Sequence, residues 1–316
     1  MSASDSAVDL ASAAAAIVAA RRVLVTGLIG ADITAVVAAC ALAEACRAAI
    51  DPGSPETSRV IGPLVARIGA VTATAADLRD RADLVVFWFC SSTTADPGFF
   101  PSIPASGSGD TPRLSIAVGP HPIPVEECRQ RHLALPDAAA IDCARLVEAL
   151  VRGIPLDEAA CNPATLAAAR DLAAAIAAAH TVAIVSEWSA DAVGLAAWST
   201  VSLVRTLAHL KPAFELPLGD RADAAIAVCT WRYAAAGAIE AADRRGARFL
   251  PAEADAARLI DRRDVDCVIV VGEATPAVTA AIDRIAADSL VVRLPADAAV
   301  LQPLVALIHA AAGAAA

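Results

Sequence analysis

The order of apolar segments in this 316-residue chain argues for an α/β fold built on parallel sheets. Short β-branched runs alternate with longer alanine-rich segments, the pattern of strands joined through helices. Several of the runs are apolar without a break, as strands covered on both faces are. Glycine closes two of them (Gly27 after Thr26, Gly119 after Val118), where a parallel strand hands over to a turn.

Taken in chain order, Val8–Ala20 is alanine-rich and helix-like, and Arg22–Thr26 reads as a strand that ends at Gly27. Ala31–Ala48 follows as a helix. Asp83–Phe89 is a continuous apolar run, as expected of a central strand. Leu114–Val118 is a further strand, closed by Gly119-Pro120, and helices run over Asp142–Arg152 and Pro163–Ala179. A second set opens with the strand Thr181–Ser186 and the helix Ala192–Leu210. Strands are then predicted at Ala224–Cys229, Arg248–Phe249, Cys267–Val271 and Ser289–Leu294. Helices are predicted at Ala234–Arg244, Ala254–Asp261, Pro276–Ala287 and Ala298–Ala312. Asp51–Pro63 and Asp96–Pro112, rich in proline, glycine and serine, read as loops. The expected architecture is two Rossmann-like lobes, each a parallel sheet flanked by helices. They would span residues 1–177 and 178–316, with room for the two to interleave.

Hydrophobic residues make up 57% of the chain and charged residues 19%, which excludes intrinsic disorder. A net charge of −10 argues against nucleic acid, which needs a basic face, and against an anionic membrane surface. No apolar stretch reaches the ~18–20 uninterrupted residues of a membrane span. Asp5 and Asp9 lie at the start of the first apolar segment and Arg21 and Arg22 follow it, the reverse of a signal peptide. The expected location is therefore the cytoplasm.

Motifs that carry chemistry are sparse. Gly27-Leu-Ile-Gly30-Ala-Asp32 follows a strand and opens a helix, but it lacks the G-x-G-x-x-G spacing and reads as a plain turn. The eight cysteines (40, 46, 90, 128, 143, 161, 229, 267) include no Cys-x-x-Cys and read as small buried hydrophobes. Cys90, directly after a strand, is the best-placed thiol for a nucleophile, yet no basic group lies near it in sequence. The histidines His121, His132, His180, His209 and His309 are scattered, and His180 and His209 close helices. Asp191, Asp220 and Asp223 fall near loops as solvated acids would. Trp188, Trp198 and Trp231 are expected together in the second lobe, as core or interface. Trp231-Arg232-Tyr233 joins three residue types common in interface hot spots.

Several segments, in order, resemble the molybdenum or tungsten pterin subunit of formylmethanofuran dehydrogenase, a family related to formate dehydrogenases. They are Val25-Thr-Gly-Leu-Ile-Gly30, Leu42-Ala-Glu-Ala-Cys-Arg-Ala-Ala-Ile-Asp51, Gly62-Pro63 and Arg81-Ala-Asp-Leu-Val-Val-Phe-Trp-Phe-Cys90. Thr230-Trp231, Arg245-Gly246, Pro251-Ala-Glu253 and Val265-Asp-Cys-Val-Ile-Val-Val-Gly272 continue the series. The resemblance implies the middle domains of molybdopterin oxidoreductases. The departures all strike the redox site. The family's opening cysteine-rich iron–sulfur segment has no counterpart. Its metal-ligating cysteine before His-Gly-Pro, anchored on Gly62-Pro63, is replaced at Val60-Ile61, and valine has no thiolate for a soft metal. Phe-Trp-Gly-Cys-Asn-Pro-x-x-x-His-Pro becomes Phe87-Trp88-Phe89-Cys90-Ser91 through Asp96-Pro97. The Asp-Pro-Arg that helps hold the pterin nucleotide becomes Gly119-Pro120-His121.

Such a stripped chain resembles the homologous one in the formyltransferase/hydrolase complex of methylotrophic bacteria. That resemblance implies a structural subunit with no activity alone and no catalytic, cofactor-binding or metal residues: the molybdopterin, tungsten or molybdenum, and iron–sulfur sites are expected to be lost. Its partners would be the hydrolase, the formyltransferase and a further structural subunit. Together they would pass a formyl group from a tetrahydromethanopterin carrier to a furan cofactor and release formate. Two other readings stay open on sequence alone: an active molybdenum or tungsten oxidoreductase subunit, and a free-standing nucleotide-binding enzyme using Cys90 or a loop carboxylate.

Overall fold

The computed structural model describes residues 9–53, 64, 67–90, 99, 103, 113–123, 129–187, 195–218, 222–241, 246–250, 253–285 and 289–314. In chain order the elements are α1 (Leu10–Ala19), β1 (Val23–Leu28), α2 (Ile33–Cys46), β2 (Ala49–Ile50), α3 (Ala75–Arg81), β3 (Leu84–Trp88), β4 (Leu114–Gly119) and β5 (Arg129–Ala134). They continue with α4 (Ala140–Val151), α5 (Pro163–Ala178), β6 (Val182–Glu187), α6 (Leu195–Leu210), β7 (Ala213–Leu218), α7 (Asp223–Tyr233), β8 (Ile239–Glu240) and β9 (Arg248–Phe249). The last are α8 (Ala256–Asp261), β10 (Cys267–Glu273), α9 (Pro276–Ile285), β11 (Leu290–Leu294) and α10 (Ala298–Ala314).

The chain forms two α/β units. A split unit combines Met1–Ile68 with Asp220–Ala316, and an inserted unit spans Gly69–Gly219. The division differs from the expected 177/178. β6 pairs in register with β3 (Leu84 with Val182, Val86 with Ile184), so residues on both sides of that position belong to one sheet.

In the split unit the sheet order is β11-β10-β1-β2-β8-β9. The first four strands run parallel, and β8 and β9 add antiparallel at one edge. Side chains alternate between faces, as a pleated strand requires. Val23 and Val25 of β1 and Cys267, Ile269 and Val271 of β10 meet α1, α2, α7 and α10. Leu24, Val268 and Val270 face the other way, onto α8 and α9. In the inserted unit the order is β5-β4-β3-β6-β7, all parallel. Leu84, Val86, Trp88, Ile116, Val118, Val182 and Ile184 pack under α4, α5 and α6. Val85, Phe87, Ala117, Ala183 and Val185 line the face toward α3.

A matching aspartate clasp sets register in each unit. Asp83, just before β3, accepts the amides of His180 and Thr181 (2.8 and 2.7 Å), the two residues that lead into β6. Asp266, just before β10, does the same for Arg21 and Arg22 (3.0 and 2.9 Å), which lead into β1.

Two buried polar side chains fix irregular backbone. Asp51, at the end of β2, accepts from the amides of Gly53 (3.2 Å), Ala238 (2.9 Å) and Ala256 (2.9 Å). Arg113, with no exposed surface, donates from Nε to the Ala82 carbonyl (2.9 Å) and from Nη2 to those of Arg79 (2.6 Å) and Leu78 (3.3 Å). It thereby gives partners to the Arg79 and Ala82 carbonyls at the end of α3 and a second donor to that of Leu78, which already accepts from the Ala82 amide.

Three expectations give way. Ala224–Cys229, predicted as a strand, is the centre of α7. Ala225, Val228 and Cys229 recur at helical spacing and bury against α2, and a short apolar run fits either period. Ala234–Arg244, predicted as a helix, opens with Ala234 and Ala238 in the left-handed region (φ 56° and 51°) and leads into β8. β5 and β7 were not predicted. Both are edge strands, and the polar run of Arg129–His132 in β5 and Pro217 in β7 suit an edge while hiding the strand pattern.

Candidate functional site

Ligands of parallel α/β sheets lie at the carboxyl ends of strands, where the strand order reverses. In the split unit that point falls between β1 and β10, and backbone closes it. Past Thr26 the strands pair again through Leu28 and Glu273, with a register shift at Gly27. Gly27 (φ 83°) and Gly272 (φ 76°) sit so close to neighbours that side chains would collide. A Cβ on Gly27 would lie 2.8 Å from Val270 Cγ1, and one on Gly272 3.0 Å from Ala296 Cβ. Asp32, the last residue of the expected plain turn, caps α2 by accepting from the amide of Ala35 at 2.7 Å.

In the inserted unit the reversal lies between β3 and β6, so the candidate site is the edge formed by Phe89, Cys90, Gly119, Ser186 and Glu187. Phe89 is left-handed (φ 46°), a conformation that costs a residue with a Cβ roughly 1–2 kcal/mol. It is held there from both sides. Its amide donates to the Val118 carbonyl (2.8 Å), and its ring stands edge-on to Trp88 with centroids 5.1 Å apart. Gly119 passes so near that a Cβ there would lie 3.2 Å from Phe89 Cα. The Gly119 carbonyl in turn accepts from the Leu135 amide (3.1 Å) and His132 Nε2 (3.0 Å).

Cys90 is 8% exposed. Burial, followed by the negative charge of Glu187, pushes its thiol up to about 12. A thiol so raised is protonated at neutral pH, which makes it a poor nucleophile. Iodoacetamide at pH 7.5 is therefore expected to label Cys90 at least tenfold more slowly than the partly exposed Cys161. Equal rates by peptide mapping would refute the buried, neutral thiol. On the opposite face, Ser186 donates to Glu215 Oε1 at 2.5 Å, and both side chains are buried. Glu215 also fastens the outer edge of β7, its amide donating to the Val71 carbonyl (2.8 Å) and its carbonyl accepting from Ala73 (3.1 Å). Neither residue was singled out in the sequence, because serine and glutamate near strand ends carry no motif.

The other sequence candidates do not converge on this edge. Val60 through Pro63, Ser91 through Pro97, Trp188, Asp191 and Asp220 lie outside the described residues. Asp223 opens α7, and His121 is exposed beside Gly119-Pro120. Trp198 is on α6 of the inserted unit whereas Trp231 is on α7 of the split unit, so the two do not share a lobe as expected. Trp231 is 75% exposed. Arg232 and Tyr233 instead bind Glu44 of α2: Arg232 through a fork of two 2.6 Å bonds, Tyr233 through its hydroxyl at 2.9 Å. Among the described residues, no three His, Cys, Asp or Glu side chains gather as a metal ion would require. No helix among them is long and apolar enough to cross a membrane.

No known family model matches the sequence, and no curated protein matches it. The fold is similar to that of a chain in the X-ray crystal structure of the formyltransferase/hydrolase complex (FhcABCD) from Methylorubrum extorquens in complex with methylofuran. The TM-score is 0.64 at 22% identity, over 92% of this chain and 80% of that one. At that identity the likeness establishes the fold.

Proposed function

We propose that this chain is a structural subunit of a cytoplasmic formyltransferase/hydrolase complex, the counterpart of the pterin subunit of formylmethanofuran dehydrogenase, and that it carries no redox centre of its own. Phe89 carries the reading. The family that the sequence resembles has glycine between Trp88 and Cys90, and the backbone here keeps a conformation suited to glycine although a phenylalanine occupies it. A strand end shaped for a glycine and then filled by an aromatic ring is what a chain that lost its ligand would retain. The likeness of fold over nearly the whole chain to a member of a formyltransferase/hydrolase complex supports the same assignment.

The residues present do not fit a molybdenum or tungsten pterin. Val60 replaces the ligating cysteine, Cys90 is a buried neutral thiol, and Gly119-Pro120-His121 replaces the nucleotide-holding Asp-Pro-Arg. What remains for the chain is to bury its partners' surfaces and hold them in place. Transfer of the formyl group from the tetrahydromethanopterin carrier to a furan cofactor, and its hydrolysis to formate, then belong to other subunits. Exposed Trp231 is the contact most suited to that role, since a large indole buried at an interface commonly contributes about 2 kcal/mol or more.

Purification of the complex through a tag on this chain tests the proposal. The formyltransferase, the hydrolase and a further structural subunit should co-purify, with molybdenum and tungsten far below one per complex. Trp231→Ala should weaken the association about 30-fold. Stoichiometric tungsten or molybdenum, or a chain that purifies alone, would overturn the reading. Undiminished assembly of the Trp231→Ala protein would remove Trp231 from the contact.

A further inference from the structure

α10 lies between α1 and α2 on one face of the split unit's sheet, with Leu301, Leu304 and Ile308 turned inward and buried. A surface helix ordinarily answers such a stripe with charged residues on its outer side. α10 does not. Over its 17 residues it has no Asp, Glu, Lys or Arg, and its only polar side chains are Gln302 and His309. Ala306, Leu307 and Ala310 stand exposed on the outer side. α1 is uncharged as well and exposes Ala15 and Ala19. On α2 the single charged residue is Glu44, which Arg232 neutralises, and Ile33 is 59% exposed. The opposite layer of the same sheet follows the usual pattern, with Asp283 and Arg284 of α9 exposed. A helix that is apolar on every side is one that packs within a larger body.

We propose that two copies of this chain pair through this layer, α10 against α10 about a two-fold axis, with α1 and α2 on the flanks. Charge selects the occupant. Each copy carries a net charge of −10, so charged faces brought together would set like against like. The α1–α10–α2 layer brings no such repulsion. An uncharged apolar face is matched by a second one like itself, which is the self-complementarity that a two-fold contact requires. A partner recruited by charge has nothing to grip here. The extent fits too. At about 1.5 Å per residue α10 is about 25 Å long, and three helices roughly 8–10 Å apart span about 25–30 Å. The layer therefore offers about 600–700 Å² per copy, inside the roughly 600–1,000 Å² that each partner of a stable complex buries. Trp231 lies on α7, outside the layer, and stays available to other subunits.

Co-expression of the full-length chain under two different tags tests the pairing. Capture on the first tag should bring down the second, and light scattering should count two copies of the 31.9 kDa chain in the assembly. Leu307→Arg plants an unpaired charge in the contact and should weaken pairing about 100-fold, while subunits held through Trp231 still co-purify. Ala306→Glu, an exposed change on the same helix, repeats the test should Leu307→Arg not fold. One copy per assembly, or retention of the second tag in either folded variant, would overturn the proposal. Loss of the other subunits along with the second tag would give the layer to one of them and overturn it equally. A chain that purifies without other subunits, yet as a dimer that Leu307→Arg splits, would uphold the pairing while sinking the complex.

Discussion

Replacing Asp51 by alanine should destabilise the protein by about 3–5 kcal/mol, the larger of the two strongest substitution effects expected here. The carboxylate lies at the end of β2 with almost no exposed surface and accepts three backbone amides, from Gly53, Ala238 and Ala256. Those amides belong to three separate segments: the turn after β2, the left-handed approach to β8 and the first residue of α8. Alanine would leave all three donors buried, and an orphaned buried donor costs about 1–3 kcal/mol. Asp51→Asn keeps one accepting oxygen and should lose roughly half as much. Urea denaturation of the full chain measures both; an Asp51→Ala midpoint equal to that of the parent would show that the amides find other partners.

Arg113→Met should cost about 3 kcal/mol, concentrated at α3. Methionine fills much of the same space but cannot donate to the carbonyls of Leu78, Arg79 and Ala82. α3 is only seven residues long, so losing the satisfaction of its last turn removes a large part of what orders it. Its other end is already fixed by Thr74 and Asp77, each of whose side chains accepts from the other's backbone amide. Arg113→Lys should recover little, because an ammonium lacks the guanidinium's rigid fork. Hydrogen exchange at α3 reads the effect directly. Protection there unchanged in Arg113→Met would contradict this account.

The central strands were legible because the sheets bury them on both faces. Val23–Thr26, Leu84–Trp88 and Cys267–Val271 are apolar at every second position and at most positions between. Edge strands were not legible, since β5 and β7 bury one flank and must tolerate charge or proline on the other. Within α7 the sequence Ala-Ala-Ile-Ala-Val-Cys satisfies either period, and only packing against α2 selects the helix. At the candidate site, the sequence placed Cys90 directly after a strand, and β3 does end at Trp88, two residues before it. The left-handed turn at Phe89 was invisible, because nothing about a phenylalanine announces a positive φ. Asp51 and Arg113 escaped notice for a related reason: their partners are backbone groups of segments far away in sequence.

The clasp at Asp266 joins residues 244 and 245 positions apart, and β1 has no neighbour on that side until β10 exists. On a ribosome adding about 5–20 residues per second, β1 must therefore wait through the synthesis of the entire intervening stretch. The inserted unit has every one of its strands available well before then. The natural sequence of events is that the interior of the chain consolidates first, while the leading segment stays an uncompleted template that the trailing segment closes. Truncation anywhere before residue 267 would leave that template open, with an apolar strand edge as a seed for aggregation.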